Sequence, residues 1–215
     1  MKPTDVIVVD YGCGNILSVK RGLETVGARV VLTDNPQVIK SAKHIVLPGV
    51  GAFAKGMKAL NRLNGGDAIK RAAENGANVL GICLGMQMLM DESEEFGKNP
   101  GLGLIPGKVV PIPAHKQDGT RHKVPNIGWN ELRPTARQNS WKKTILDFVE
   151  PNTAVYFVHS FMAMPDDDKH TIADYNYGGH DVVAAIGNGR IYGCQFHPEK
   201  SGQTGLRVLE RFVAL

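Results

Sequence analysis

Long apolar runs are missing from this chain of 215 residues, and none approaches the ~20 residues a membrane-spanning helix needs. Cysteine is scarce. Only Cys13, Cys83 and Cys194 occur, with no Cys-x-x-Cys spacing, so neither a disulfide framework nor a zinc cluster is implied. An odd number of isolated thiols fits a reducing, cytoplasmic setting. A strong excess of either charge is also absent, the net charge being +4. The basic residues are dispersed except over His115–Lys123, which reads as a solvated loop rather than a nucleic-acid groove. Met1-Lys2-Pro3-Thr4-Asp5 does not open a signal peptide. No repeat and no clear linker divides the sequence, so one domain over residues 1–215 is expected. Neither a membrane nor a nucleic acid is expected as a partner, and no metal or cofactor is called for.

What is present is an alternation of short apolar runs and helical patterns. Val6–Val9, Val30–Leu32, His44–Leu47 and Val79–Ile82 read as buried strands. Helices are expected over Ile16 to Val26 with Asn15 as cap, from Pro36, over Ala68 to Glu74, and over Leu84 to Glu92. That order implies an α/β fold, a mostly parallel central sheet with helices on both faces. Residues 101 to 137 are rich in Gly, Pro and charge and read as loops with short strands. Val155–Val158, Thr171–Tyr175, Val182–Ile186 and Ile191–Phe196 are strand-like. The turns Tyr177-Gly-Gly-His180 and Gly187-Asn-Gly189 favour antiparallel hairpins in this C-terminal half. A last helix is expected over Gly205 to Val213.

The chemistry concentrates in two places. Gly81-Ile-Cys-Leu-Gly85 puts Cys83 between a strand and a helix, the pattern of a nucleophile elbow. The unpaired N–H groups of the following helix favour a negatively charged sulfur. A buried structural cysteine is the plain alternative, and the flanking glycines argue against it. His197-Pro-Glu199 supplies an imidazole and a carboxylate at i, i+2, which in extended chain share a face, and Pro198 suits the end of a strand. Alone it would be a surface turn; beside a cysteine elbow it is a base and its orienting acid. Pro48-Gly-Val-Gly51 follows the third strand, where glycines let backbone N–H groups face an oxyanion, or simply make a turn. Gln87, one helical turn after Cys83, either binds a polar end of the substrate or faces solvent. Gly12-Cys-Gly14 is no dinucleotide fingerprint, because the third glycine position holds Leu17.

Gly81-Ile-Cys-Leu-Gly-Met-Gln87 together with Gln195-Phe-His-Pro-Glu199 resembles the two motifs of the class I, triad-type glutamine amidotransferases. Val9-Asp-Tyr-Gly-Cys-Gly-Asn15, Leu47-Pro-Gly-Val-Gly-Ala-Phe53, Val124-Pro-Asn-Ile-Gly-Trp-Asn130 and Tyr156-Phe-Val-His-Ser160 extend the likeness, over nearly the whole chain, to the glutaminase subunits of imidazole glycerol phosphate synthase. The resemblance implies a flavodoxin-like fold and hydrolysis of L-glutamine through Cys83, His197 and Glu199. It implies an oxyanion hole from backbone at Gly49, Val50, Gly51 and Leu84, and substrate contacts from Gln87, Ser160 and Phe161. Ammonia would pass to a (β/α)8 barrel subunit in histidine biosynthesis, within an allosteric heterodimer. Asn15, Trp129 and Lys200 match positions expected at that interface. The family usually has His where this chain has Asn126. The same glutaminase chemistry could serve a sugar amidotransferase for surface polysaccharides. A non-catalytic regulatory module would predict a broken triad, and all three residues are present.

Overall fold

The computed structural model describes residues 3–135 and 140–215. The first half alternates β1 (Asp5–Val9), α1 (Ile16–Thr25), β2 (Arg29–Thr33), α2 (Pro36–Lys40), β3 (His44–Gly49), α3 (Phe53–Arg62), α4 (Gly65–Glu74), β4 (Asn78–Cys83) and α5 (Leu84–Met88). Then come β5 (Met90–Ser93), β6 (Asn99–Pro100), β7 (Ile105–Pro111), β8 (Asn126–Glu131), β9 (Arg133–Pro134), β10 (Ala154–His159) and β11 (Phe161–Pro165). The chain closes with β12 (Thr171–Tyr177), β13 (His180–Asn188), β14 (Ile191–Cys194) and α6 (Gly202–Val213).

One eight-stranded sheet runs β2-β1-β3-β4-β14-β13-β12-β9. Its first five strands are parallel and the last three antiparallel. The period of two along each parallel strand divides the core. Val6, Val8, Val46, Leu80 and Ile82 pack on one face with Leu23 of α1 and Leu209 and Phe212 of α6. Ile7, Val9, Ile45, Leu47 and Val79 pack on the other with Phe53, Leu60 and Ile69 of α3 and α4. The expected α/β class therefore holds, with the antiparallel strands in the C-terminal half. Smaller sheets, β10-β8 and β11-β7-β5-β6, cover the carboxyl edge.

Several expectations need correction. The helix expected over Leu84–Glu92 stops at Met88, and Met90–Ser93 is a strand. The carbonyls of Met88, Leu89, Met90 and Asp91 accept from the N–H groups of Leu102, Leu104, Ile105, Gly103 and Gly101, so the helical ladder cannot continue. Helix α3 stands where no element was assigned, and it is built on Phe53, Met57 and Leu60 at helical spacing. Asn15 occupies the cap position of α1 without a side-chain cap bond. The last sheet strand ends at Cys194, not Phe196, and Gly187 lies within β13, so the turn is Gly189-Arg190 between the paired Asn188 and Ile191. Residues 136 and 137 of the loop-rich stretch lie outside the described residues.

Two glycines fix how tightly the elbow packs on the sheet. A Cβ on Gly85 would sit 1.8 Å from the carbonyl oxygen of Leu47 on β3, and one on Gly81 would sit 2.6 Å from the carbonyl oxygen of Gly85. Gly85→Ala must therefore push α5 off β3. We expect it to lower unfolding free energy by at least about 2 kcal/mol, read as a fall in urea midpoint.

Candidate active site

The carboxyl ends of the parallel strands bring the sequence-defined residues to one cavity. Cys83 ends β4 at φ 55, ψ −111, a conformation that a non-glycine residue adopts only under constraint. The next residue opens α5, so the sulfur stands at a strand-to-helix elbow. Gly49, the last residue of β3, lies opposite Cys83 in the parallel register. Its missing side chain matters, since a Cβ there would lie 2.5 Å from the Tyr11 hydroxyl. That hydroxyl donates to the Pro48 carbonyl at 2.7 Å and moors the glycine-rich segment.

A cavity of about 360 Å³ opens on the sulfur. It is lined by Val50, Gly51, Leu84 and Gln87 on one side, by Val158, His159, Ser160 and Phe161 on another, and by His197. Val50 is half-exposed, whereas Leu84 is buried. Gly49 is buried just behind the lining. The candidate oxyanion and substrate residues thus surround Cys83, all but Gly49 on the cavity wall.

His197 and Glu199 meet through Nδ1 and Oε1 at 2.8 Å, and both side chains are almost wholly buried. They do not share a face of extended chain. Pro198–Lys200 form a single 3-10 turn after the strand, and this turn brings the carboxylate back to the imidazole. The turn is held by Tyr156 of β10, whose carbonyl accepts from the His197 N–H at 2.9 Å. Ser201 Oγ donates to the His197 carbonyl at 2.6 Å and accepts from the Tyr156 N–H at 3.0 Å. With Nδ1 engaged by a carboxylate, Nε2 is the nitrogen free to take a proton. It is buried without a hydrogen-bond partner.

The two cavity histidines are driven in opposite directions. Burial opposes a charge on His197, but the neighbouring Cys83 and Glu199 outweigh it and raise its pKa to about 9. His159 is pushed down to about 4, chiefly by burial, with the charge of His197 adding to the effect.

Glu95 and Gln195, like His159, stand out only in the structure. Glu95 lies on the cavity wall, its Oε2 accepting the Phe53 N–H at 2.5 Å. Its signal was only one acid among several in Asp91-Glu-Ser-Glu-Glu95. Gln195, wholly buried, donates through Nε2 to Cys83 Sγ at 3.6 Å. It stood in a quoted motif but had no role. Asn126 is buried and bonded to the Tyr175 hydroxyl at 2.8 Å, so its own side chain is no partner contact.

The candidate interface residues sit on the same edge. Asn15 is exposed at the start of α1, and Lys200 is exposed on the turn that carries Glu199. Trp129 on β8 is 56% exposed and meets Tyr156 edge-to-face, at 6.0 Å between ring centroids. Among the described residues no group of three or more His, Cys, Asp or Glu could hold a metal ion. Nor is any described helix long and apolar enough to cross a membrane.

The opposed histidines give a pH signature. His197 is raised above its unfolded value, so its contribution to stability is full below pH 6.5 and lost as pH rises through about 9. His159 is lowered, so its contribution is full above pH 6.5 and lost as pH falls through about 4. Thermal melts across pH 4–10 should show both limbs. His197→Gln should flatten the alkaline limb and His159→Gln the acid one.

Comparison with known proteins agrees with this architecture. Residues 7–215 match the family model for glutamine amidotransferase class-I. Imidazole glycerol phosphate synthase subunit HisH 1 of Legionella pneumophila (strain Lens) is 50% identical over 212 residues, covering 99% of this chain and 100% of the relative. The HisH subunit of Geobacillus kaustophilus (strain HTA426) is 43% identical over 208 residues, 97% and 95% of the two chains. Among solved structures, a chain of PurLQS from Thermotoga maritima shares the fold at a TM-score of 0.72 and 22% identity, covering 100% of this chain and 99% of its own. The chain belongs to the class-I glutamine amidotransferases, in the branch of the imidazole glycerol phosphate synthase HisH subunits.

Proposed function

We propose that this chain is the glutaminase subunit of an imidazole glycerol phosphate synthase, hydrolysing L-glutamine with Cys83, His197 and Glu199 and delivering ammonia to a (β/α)8 barrel subunit. The observation that carries the chemistry is the buried His197–Glu199 pair at 2.8 Å, whose imidazole shares one cavity with a cysteine held at φ 55. The pathway rests on the HisH relatives, which match over almost their full length.

Cys83 loses its proton to Nε2 of His197, and Glu199 on Nδ1 stabilises the imidazolium. The sulfur attacks the side-chain carbonyl carbon of glutamine, and the oxygen takes up negative charge. Backbone N–H groups at Leu84 and in Gly49–Gly51 are the groups placed to hold it. His197 returns the proton to the leaving nitrogen, and ammonia departs from a γ-glutamyl thioester. Water, deprotonated by His197, then releases glutamate and restores the thiol. Within the cavity, the Glu95 carboxylate suits the α-ammonium of the substrate. Gln87, with Ser160 and Phe161, borders the same space.

The acceptor side is argued from surface chemistry. Ile127 and Trp129, each 56% exposed, project from β8 beside Tyr156, and Leu17 near Asn15 is 63% exposed. Apolar groups exposed on the cavity edge mark a surface that another protein covers. Ammonia released there would pass directly into that partner.

Three measurements test this. Glutamate release should fall below a tenth of wild type in Cys83→Ala, with the thermal midpoint retained. Glutamine hydrolysis should be slow for the lone chain and rise strongly on adding the barrel subunit and its ribonucleotide ligand. Trp129→Ala should weaken that stimulation, by about 2 kcal/mol of binding if Trp129 is an anchor, without altering the thermal midpoint. Vigorous hydrolysis without a partner, or a stimulation untouched by Trp129→Ala, would contradict the proposal.

A further inference from the structure

The wall opposite the triad contains an unbroken chain of hydrogen bonds that ends on the nucleophile, and its direction can be deduced. The backbone carbonyl of Phe161 can only accept. It faces His159 Nδ1 at 2.8 Å and Gln87 Nε2 at 3.0 Å, so both of those nitrogens donate. A His159 protonated on Nδ1, and held neutral by its burial, has a lone pair on Nε2, which takes the Tyr175 O–H at 2.7 Å. The Tyr175 oxygen then accepts from Asn126 Nδ2 at 2.8 Å. In the other direction, the second hydrogen of Gln87 Nε2 goes to Gln195 Oε1 at 2.9 Å. That fixes the Gln195 amide with its nitrogen toward Cys83 Sγ, 3.6 Å away. Every side chain in the chain is at least nine-tenths buried, with Gln195 and Tyr175 at 0% exposure, so water cannot substitute for a lost link.

We propose that Gln195 is a catalytic residue, a fixed N–H donor to the Cys83 sulfur, and that Gln87, His159, Tyr175 and Asn126 are positioning residues that hold its amide in that orientation. The inference rests on Cys83 being the nucleophile. An amide nitrogen can only donate, so it favours the charged sulfur over the thiol. The thiol has a different partner, the Val158 carbonyl at 3.8 Å. When the proton moves from Sγ to Nε2 of His197, the sulfur gives up its hydrogen bond to that carbonyl and gains the donor that Gln195 already presents. No reorganisation of the wall is needed, which is the condition for an electrostatic contribution to rate. The chain also explains why a neutral amide suffices at position 126, since all that is required there is a donor toward Tyr175.

The test is alkylation of Cys83 in the full chain by iodoacetamide, followed by mass spectrometry from pH 5 to 10, which needs neither glutamine nor a partner. Gln195→Met removes the N–H and roughly keeps the volume. It should slow labelling near neutral pH about ten- to a hundredfold and move the labelling profile to higher pH, as expected for a lost hydrogen bond to a charged group. Tyr175→Phe, which deletes one hydroxyl far from the sulfur, should slow labelling by about fivefold, the value of one neutral hydrogen bond. A folded Gln195→Met labelled at the wild-type rate and with the wild-type profile overturns the inference while leaving the triad standing. If Gln195→Met does not fold, Tyr175→Phe decides on the same criteria. Wild-type Cys83 that resists labelling across the whole range overturns both the inference and the triad reading.

Discussion

The site depends on one strained residue. Cys83 is held at positive φ because β4 must end and α5 begin within a single position, under the carboxyl edge of β3. Strain of this kind persists only where surroundings over-determine it. Here Gly81 and Gly85 admit backbone contacts that no side chain would allow, and the carbonyls beyond Met88 are claimed by residues 101–105. The helix is therefore one short turn, which aims the sulfur at the cavity and leaves α5 buried on all sides.

Around that sulfur the cavity sorts charge by partner. His197 has a carboxylate on one nitrogen and a cysteine beside the other, and a positive charge suits it. His159 has a carbonyl and a tyrosine hydroxyl, both saturated in the neutral form, and a positive charge does not. Two imidazoles on one cavity are thereby driven to opposite charge states by their own hydrogen-bond partners and burial. The mooring of His197 to Tyr156 and Ser201 places the first on the same ladder, β10, that ends in the second.

Much of this was legible in the sequence. The alternation of buried strands and helices, the elbow at Cys83, the hairpin at Gly178-Gly179 and the likeness carried by Gln195–Glu199 are local patterns. What escaped was decided by distant partners. Met86, Met88 and Met90 continue an apolar run that looks helical, and only the approach of residues 101–105 converts its end to strand. Helix α3 has three large apolar anchors among two alanines, two lysines, a glycine, an asparagine and an arginine, too thin a stripe to read alone. His159, Tyr175 and Asn126 are far apart in sequence and meet only because β8, β10 and β12 converge. The 3-10 turn at Pro198 joins the right two residues by a geometry that an i, i+2 count does not reveal.

The ladder between β8 and β10 pairs Asn126 with His159 at one end and Trp129 with Tyr156 toward the other. Alternation sends Asn126 inward and Ile127 and Trp129 outward. Both faces are thus written in one reading frame. Insertion or deletion of a single residue between Asn126 and Trp129 would put both on one face, turning either the tryptophan into the interior or the asparagine into solvent. Length variation in this family should accordingly be barred from these two strands and collect in the loops on either side, and divergence of the outer face can proceed only by replacement, one side chain at a time.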